Sequence, residues 1–429
     1  MNDLSFIHPE NLVNPVEKIK RKMAKQKEFD VIIWGASGFT GRLVAEYIFN
    51  KYGVGESLNW AMAGRNQAKL EKVRAEVADA TVPIVTADSH DLKSLNAMVQ
   101  RTKVMCTTVG PYAKYGSELV AACIENQVDY CDLTGEVQWM RRMIDKHHDA
   151  AKANGTKIVH TCGFDSIPSD LGVYFVQKSA QEQTGQRAKH IDMRVRVMKG
   201  GLSGGTFASF SNVLAEAKKD KSIYKTLVNP YGLNPEGEQS GGDRRDIQTV
   251  KYDKANKSWI YPFVMSTINT KVVRRSNAIM NYPYGKDFGY SEAMMSGDGF
   301  SGKMRAYRNA LIIGTIFGAK PGSFLRKMVD RFLPKPGEGP SKIERENGFY
   351  KFHFYTTLED ETKAFGVVTG DKDPGYGSTC KMLSEAAICL AKDDLPEGGG
   401  ILTPSYAMGD ALLKRLVDNA GLTFSFKVQ

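Results

Sequence analysis

The sequence predicts an α/β chain: a parallel sheet covered on both faces in the N-terminal part, followed by a second α+β domain. Three observations predict it. Apolar runs alternate with helical stretches from Phe29 to Phe164. A glycine motif stands where the first run meets its helix. Beyond about residue 185, continuous apolar runs give way to polar–apolar alternation, the mark of strands with one wet face.

The elements follow in order. Residues 1–27 form a polar arm with a basic cluster at 18–27 that reads as one short helix. Phe29-Asp30-Val31-Ile32-Ile33-Trp34 is a buried parallel strand, and the stretch from Gly38 to Gly53 carries Leu43, Tyr47 and Ile48 at helical spacing. Further strands begin near Leu58, Val82, Lys103, Val128 and Lys157, each of the first four trailed by a helix. This gives a domain over 28–170. The second domain spans 171–385. It holds an alternating strand at 190–198, two strands around a turn at 350–371, and Gly/Pro-rich loops. The last segment, 386–429, is expected to pack back on the first domain. Thr403-Pro404 starts a helix there, with Met408, Leu412 and Leu416 as its apolar stripe and Gly421 at its end.

Composition narrows the class. At 429 residues, 42% hydrophobic and 25% charged, the chain is neither disordered nor a small disulfide scaffold. It has no apolar run of spanning length, and its start lacks a signal-peptide layout, so a protein of the cytoplasm, free or peripheral on a membrane or lipid surface, is expected. Six cysteines without CxxC pairs read as buried thiols, and no metal site is expected. The net charge is +10, and nine basic against two acidic residues lie between Lys303 and Lys342. No aromatic-rich basic motif accompanies them, so an anionic cofactor or membrane surface explains the charge better than a nucleic acid.

The sharpest motif is Gly35-Ala36-Ser37-Gly38-Phe39-Thr40-Gly41, between a strand and a helix. Gly35 permits the turn, Gly38 lets backbone approach a pyrophosphate, and Gly41 lets the helix pack close to the sheet. The helix N-terminus presents N–H groups to the anion. The motif therefore predicts dinucleotide binding. After the second strand stands Arg65, where an NAD site places an acid for the ribose hydroxyl. A guanidinium suits a 2′-phosphate, so NADP is expected rather than NAD, with Asn66 and Lys69 as helpers. Asp88, after the third strand, is either an acceptor for the adenine amino group or a turn acid. Val109, Gly110 and Pro111, after the fourth strand, pass beside the ribose and nicotinamide.

The catalytic candidates lie at the carboxyl edge of the sheet, where ligands bind in open α/β folds. Tyr112, Asp132 and Asp165 lead, with Tyr115, Thr134, Glu136 and Ser166 beside them. Asp132 reads equally as a helix cap, and Asp165-Ser166 as the shape of the crossing into the second domain. Ser203 and Thr206 form a second glycine-rich loop that closes over the cofactor in a weaker reading.

At these residues the sequence resembles the saccharopine dehydrogenase-like oxidoreductases, including the trans-acting enoyl reductases. The resemblance runs from about Phe29 to Phe426. It is carried by the stretches from Trp34 to Tyr47, Trp60 to Leu70, Val109 to Glu136, Gly163 to Phe175 and Gly398 to Leu416. It implies a Rossmann domain joined to a saccharopine-reductase-like α+β domain, and an NAD(P)-type oxidoreductase. It also implies lipid surroundings, since one branch is associated with lipid droplets and membranes and another with polyketide-derived lipids. The droplet-associated relatives carry a long hydrophobic stretch, but here only Ala310–Ala319 matches it, ten residues that cannot span a bilayer. The segment 308–333 reads instead as an amphipathic piece, with Phe324, Leu325, Met328, Phe332 and Leu333 beside Arg326, Lys327 and Arg331. It faces an anionic membrane, a second copy in a homodimer, or its own core.

The function expected is NADP-dependent reduction of a hydrophobic, lipid-like enoyl substrate by hydride transfer. Two alternatives stand beside it. One is a saccharopine-type amino-acid dehydrogenase, for which Arg194, Arg196, Arg274 and Arg275 would have to converge on substrate carboxylates. The other is a non-catalytic NADP-binding protein of a membrane surface.

Overall fold

The structure, a computed structural model, describes residues 27–429 apart from 56, 201–203, 244, 319–322 and 332–338. The expected N-terminal helix, Ser203, and the apolar side chains of Phe324, Leu325, Phe332 and Leu333 lie outside what is described, as does the side chain of Thr206.

The first domain is built as strand–helix units: β1 (Phe29–Trp34), α1 (Phe39–Tyr52), β2 (Trp60–Gly64), α2 (Gln67–Val77), β3 (Ile84–Thr86), α3 (Leu92–Val99) and β4 (Thr102–Thr107). Then come α4 (Tyr112–Tyr115), α5 (Ser117–Glu125), β5 (Asp129–Asp132), α6 (Val137–Asn154), β6 (Lys157–Val159) and α7 (Ile167–Thr184). Every residue of β1 and β2 is buried, as strands covered on both faces require.

The second domain contains β7 (Ala188–Lys199), α8 (Gly204–Lys219), α9 (Lys221–Val228), β8 (Lys251–Asp253), β9 (Ser258–Tyr261), α10 (Ser266–Ile279) and β10 (Gly289–Gly297). It continues through α11 (Gly299–Gly318), α12 (Phe324–Asp330), α13 (Lys342–Glu346), β11 (Phe349–Leu358) and β12 (Lys363–Gly370). Among the described residues its sheet runs β14-β12-β11-β7-β10-β9-β8. An antiparallel sheet is the sequence expectation, but β10 pairs with β7 in parallel, so the sheet is mixed. The long crossover through α8, α9 and α10 makes that pairing sterically accessible. Ile191, Met193 and Val195 of β7 face the core, while His190, Asp192 and Arg194 point to the other side.

The chain then returns to the first domain. Helix α14 (Thr379–Lys392) lies against α1, β1, β4 and β5, and β13 (Gly400–Leu402) pairs in parallel with β6. Among the described residues the first sheet is thereby seven-stranded and wholly parallel, in the order β13-β6-β5-β4-β1-β2-β3. Helix α15 (Pro404–Asp418) follows its Thr403 N-cap, and β14 (Leu422–Val428) closes the second sheet. Met408, Leu412 and Leu416 are buried as expected, but the helix is not continuous: Gly409 sits at φ 36°, ψ −119° and kinks it. It also ends at Asp418, short of Gly421.

All six cysteines are free and buried. No helix among the described residues is long and apolar enough to cross a membrane.

Candidate functional site

The glycine turn sits between β1 and α1. Gly35 has φ +91°, a region open to glycine, and its N–H donates to Ala63 O of β2 at 2.9 Å. A Cβ at Gly35 would lie 2.6 Å from Val109 Cγ2, and one at Gly41 would lie 2.2 Å from Gly35 O. Both positions require glycine for close approach. A Cβ on exposed Gly38 would have only Gly35 O, at 3.3 Å, as a neighbour. Gly38 is the N-cap of α1 and provides no side-chain cap, so the first amides of that helix are free for an external acceptor. This open, amide-lined mouth fits a pyrophosphate.

The other expected cofactor residues gather around it. Gly64 brings the end of β2 beside Ser37, whose Oγ would lie 3.6 Å from a Gly64 Cβ. Arg65 follows, exposed and without an ion pair among the described residues. The Oδ1 of Asn66 accepts the Lys69 N–H at 2.9 Å and caps α2, which leaves its Nδ2 as the donating end of that side chain. Asp88 lies half-buried beyond β3, with one carboxylate oxygen accepting the His90 N–H at 2.9 Å in a local turn. Thr108 N–H donates to Trp34 O at 3.0 Å, which draws Val109, Gly110 and Pro111 to the glycine turn. Phe39 and Thr40 open α1, and the Phe39 ring packs edge-on against Tyr376 at 4.7 Å, with the Arg345 guanidinium 5.6 Å from its centre. The cradle is therefore buttressed from the C-terminal part of the chain.

At the carboxyl edge, one hydrogen-bonded chain ties together the exits of β4, β5 and β6. Asp132 is fully buried. Its Oδ1 accepts the N–H groups of Thr134 (3.0 Å) and Thr161 (3.2 Å), and its Oδ2 accepts the Tyr130 hydroxyl at 2.9 Å. His160 Nδ1 lies 2.7 Å from the same Oδ2 and donates to it, since that oxygen accepts. Thr134 Oγ1 accepts the Glu136 N–H at 3.1 Å. Glu136 in turn accepts the Tyr112 (2.8 Å) and Ala113 (3.0 Å) N–H groups, which caps α4, and the Ser209 hydroxyl of α8 at 3.0 Å. Burial holds the Glu136 carboxyl above its usual range.

This arrangement separates the three leading catalytic candidates. Tyr112 stacks on Trp139 at 5.5 Å, and its hydroxyl donates inward to Thr107 O at 3.2 Å. Burial pushes that phenol well up. Asp132 has both oxygens engaged by protein donors. Neither group presents a free polar atom to a ligand. Asp165 differs: it is half-buried, and no other described residue donates to its carboxyl. Burial, with the nearby Asp132 carboxylate adding to it, pushes Asp165 up to about 7. Ser166 beside it donates to Asn269 Oδ1 at 3.1 Å, and Asn269 Nδ2 donates to Glu292 at 3.0 Å. Burial also pushes Glu292 up to about 7. Half-buried Tyr115 lies 5.8 Å from the His90 ring.

Sequence reasoning missed His160, Trp139, Asn269 and Glu292. His160 follows the sixth strand, so its place at the sheet edge was a usable signal. Asn269 and Glu292 join the site through tertiary packing and carry no local signal.

Known proteins share this architecture. A family model of the saccharopine dehydrogenase NADP binding domain matches residues 31–159. A Mycobacterium tuberculosis (strain ATCC 25618 / H37Rv) relative, provisionally named a trans-acting enoyl reductase, is 39% identical over 406 residues, 92% of this chain and 96% of that protein. The trans-acting enoyl reductase of Mycobacterium bovis (strain BCG / Pasteur 1173P2) is 37% identical over 410 residues, 91% of this chain and 96% of that protein. Among solved structures, apo saccharopine dehydrogenase (L-Glu forming) from Saccharomyces cerevisiae superposes with a TM-score of 0.51. That match covers 93% of this chain and 99% of that one at 14% identity, a likeness of fold alone. Similarity at 37–39% over nearly the whole length means that the chain belongs to the saccharopine dehydrogenase-like oxidoreductases, within the group of the trans-acting enoyl reductases, and that it is an NADP-dependent oxidoreductase.

Proposed function

We propose that the chain reduces the carbon–carbon double bond of a hydrophobic, lipid-like enoyl substrate. NADPH, when bound, supplies the hydride. Gly35, Ser37, Gly38, Phe39, Thr40 and Gly41 hold its pyrophosphate, and Arg65 takes the 2′-phosphate. Asp88 borders the adenine side, and Val109, Gly110 and Pro111 line the nicotinamide side. Asp165 delivers the proton to the carbon that does not receive the hydride, then regains it from solvent. Tyr112 and Asp132 act as positioning residues, since their polar atoms already serve the protein. The observation that carries this reading is a half-buried carboxyl, pushed up to about 7 by burial and met by no other described donor, at the carboxyl edge of a dinucleotide-binding sheet.

The amino-acid dehydrogenase alternative loses its support in the arginines. Arg194 is held by Asp192 and Asp253, Arg274 by Asp243, and Arg275 donates to the Leu233 and Ile401 carbonyls. Arg196 stands exposed on β7. The expected result is NADPH oxidation with a long-chain enoyl thioester, and none with lysine plus 2-oxoglutarate. Arg65→Ala raises the KM for NADPH by about 10–100-fold and leaves that for NADH unchanged, as expected for loss of one bidentate phosphate contact. An unaltered NADPH preference in this variant would reject the 2′-phosphate assignment.

Helix α11 supports delivery of that substrate from an anionic lipid surface. Gly302 and Ala306 are buried, whereas Phe300, Met304, Tyr307 and Leu311, spaced four, three and four apart, are 78%, 53%, 50% and 71% exposed. Lys303 and Arg308 flank this stripe. Such a face lies flat in an interface. Phe300→Asp with Leu311→Asp is expected to weaken binding to vesicles containing anionic lipid by at least about tenfold, read by flotation. If the pair instead dissociates a dimer in sedimentation and leaves flotation unchanged, the face serves a second copy.

A further inference from the structure

A pocket of about 500 Å³ opens on the second domain, between the start of β7 and β10, strand β8 and residues 242, 243 and 245–247. None of the cradle residues lines it, and neither does Asp165. On β7 it is built from His190, Asp192 and Arg194, the side chains on the face away from the core.

The floor is electrostatically satisfied. Arg194 is 3% exposed, and it donates to Asp192 at 2.8 Å, Asp253 at 2.9 Å and Ser291 Oγ at 3.0 Å. His190 Nε2 lies 3.1 Å from Asp192. Asp243 is held by Arg274 at 2.7 Å, and Asp246 accepts from Thr270 at 2.8 Å with Lys271 at 3.8 Å. Each carboxylate of the pocket thus already has a cationic partner, which leaves no unpaired acid to attract a metal or an amine. The mouth is different. Arg245, Lys251 and Lys254 line it, all three are exposed, and none has an ion pair among the described residues.

The carboxylates of the floor are already engaged by Arg194, Arg274 and Lys271, so the charges of Arg245, Lys251 and Lys254 at the mouth are left for an external anion. The volume lies in the range of small-molecule sites and exceeds what a lone inorganic ion needs. We propose that this pocket is a second ligand site of the chain, which takes the phosphate group of a small phosphorylated molecule on Arg245, Lys251 and Lys254. It is independent of the cofactor cradle and of the reductase reading.

The test uses the full chain saturated with NADP+, so that the cradle is filled, and titrates inorganic pyrophosphate by calorimetry. One site per chain is expected. Lys251→Glu with Lys254→Glu should weaken it by at least about tenfold while NADP+ affinity stays unchanged, since charge-assisted contacts to phosphate are lost at one place only. Lys363→Glu with Lys427→Glu, an equal change of charge at exposed positions on the far edge of the same sheet, should leave it intact. No pyrophosphate heat at saturating NADP+, or equal weakening in both variants, overturns the site. Tighter binding of 2-oxoglutarate than of pyrophosphate overturns the phosphate assignment.

Discussion

Asp165→Asn is expected to lower kcat by about 10²–10⁴-fold while leaving NADPH affinity unchanged, the range found for loss of a general acid. The amide is nearly isosteric and cannot donate the proton. Because burial pushes the carboxyl up to about 7, it is protonated below that pH and ionised above it. The wild-type rate should therefore be level on the acid side. It should then fall by about tenfold per pH unit well above pH 7, where only the shrinking protonated fraction is competent. In the variant this alkaline limb disappears, and the small residual rate is flat. A stopped-flow pH profile of both chains checks the sign as well as the size. A variant with wild-type turnover, or one that keeps the alkaline limb, would move the proton donor elsewhere. Glu292 would then be examined, since it too is pushed up to about 7, but at 1% exposure it reaches the edge only through Asn269 and Ser166.

The cradle was legible and the catalytic edge only in part, for a physical reason. A glycine turn is a local device. Strand, turn and helix are consecutive, so Gly35 to Gly41 act together wherever the segment folds. The edge is assembled from chain exits that are far apart in sequence. Glu136 is a plausible acid when read alone, but in the fold it caps α4 and receives Ser209 from α8, 73 residues away. Asp132 stands at the predicted sheet edge. Whether it faces a ligand or clamps two loops depends on Thr161 and His160, which arrive with β6. The mixed second sheet was hidden for the same reason: β7 and β10 become neighbours only through a long crossover. Gly409 shows the opposite limit. The apolar stripe around it predicts the buried face correctly, yet periodicity carries no sign of a kink at the one residue that can adopt φ 36°.

Gly38→Ala and Gly41→Ala should fail in different ways. At Gly38 the backbone is extended (φ −80°, ψ 168°), so alanine is conformationally allowed, and its methyl meets only Gly35 O, at 3.3 Å, which has to give by a few tenths of an ångström. The fold should keep its Tm to within a few degrees, while the methyl occupies the space through which a pyrophosphate approaches the amides of α1. NADPH affinity should drop by about 100-fold, equivalent to about 2.7 kcal/mol. At Gly41 the methyl would lie 2.2 Å from Gly35 O and 2.8 Å from Ala36 Cα, and backbone atoms cannot rotate aside as a side chain would. Helix α1 must then shift off the sheet, at a cost of about 1–3 kcal/mol for the overpacked contact. The shift carries the turn with it, so cofactor binding and stability should fall together. Thermal melts with and without NADPH separate the two cases, because a ligand that binds only the folded chain raises the Tm according to its affinity. Gly38→Ala should show the wild-type Tm without NADPH and lose the rise on adding it, whereas Gly41→Ala should start lower and gain nothing. If Gly38→Ala keeps the full NADPH-induced rise, the pyrophosphate does not rest at this turn.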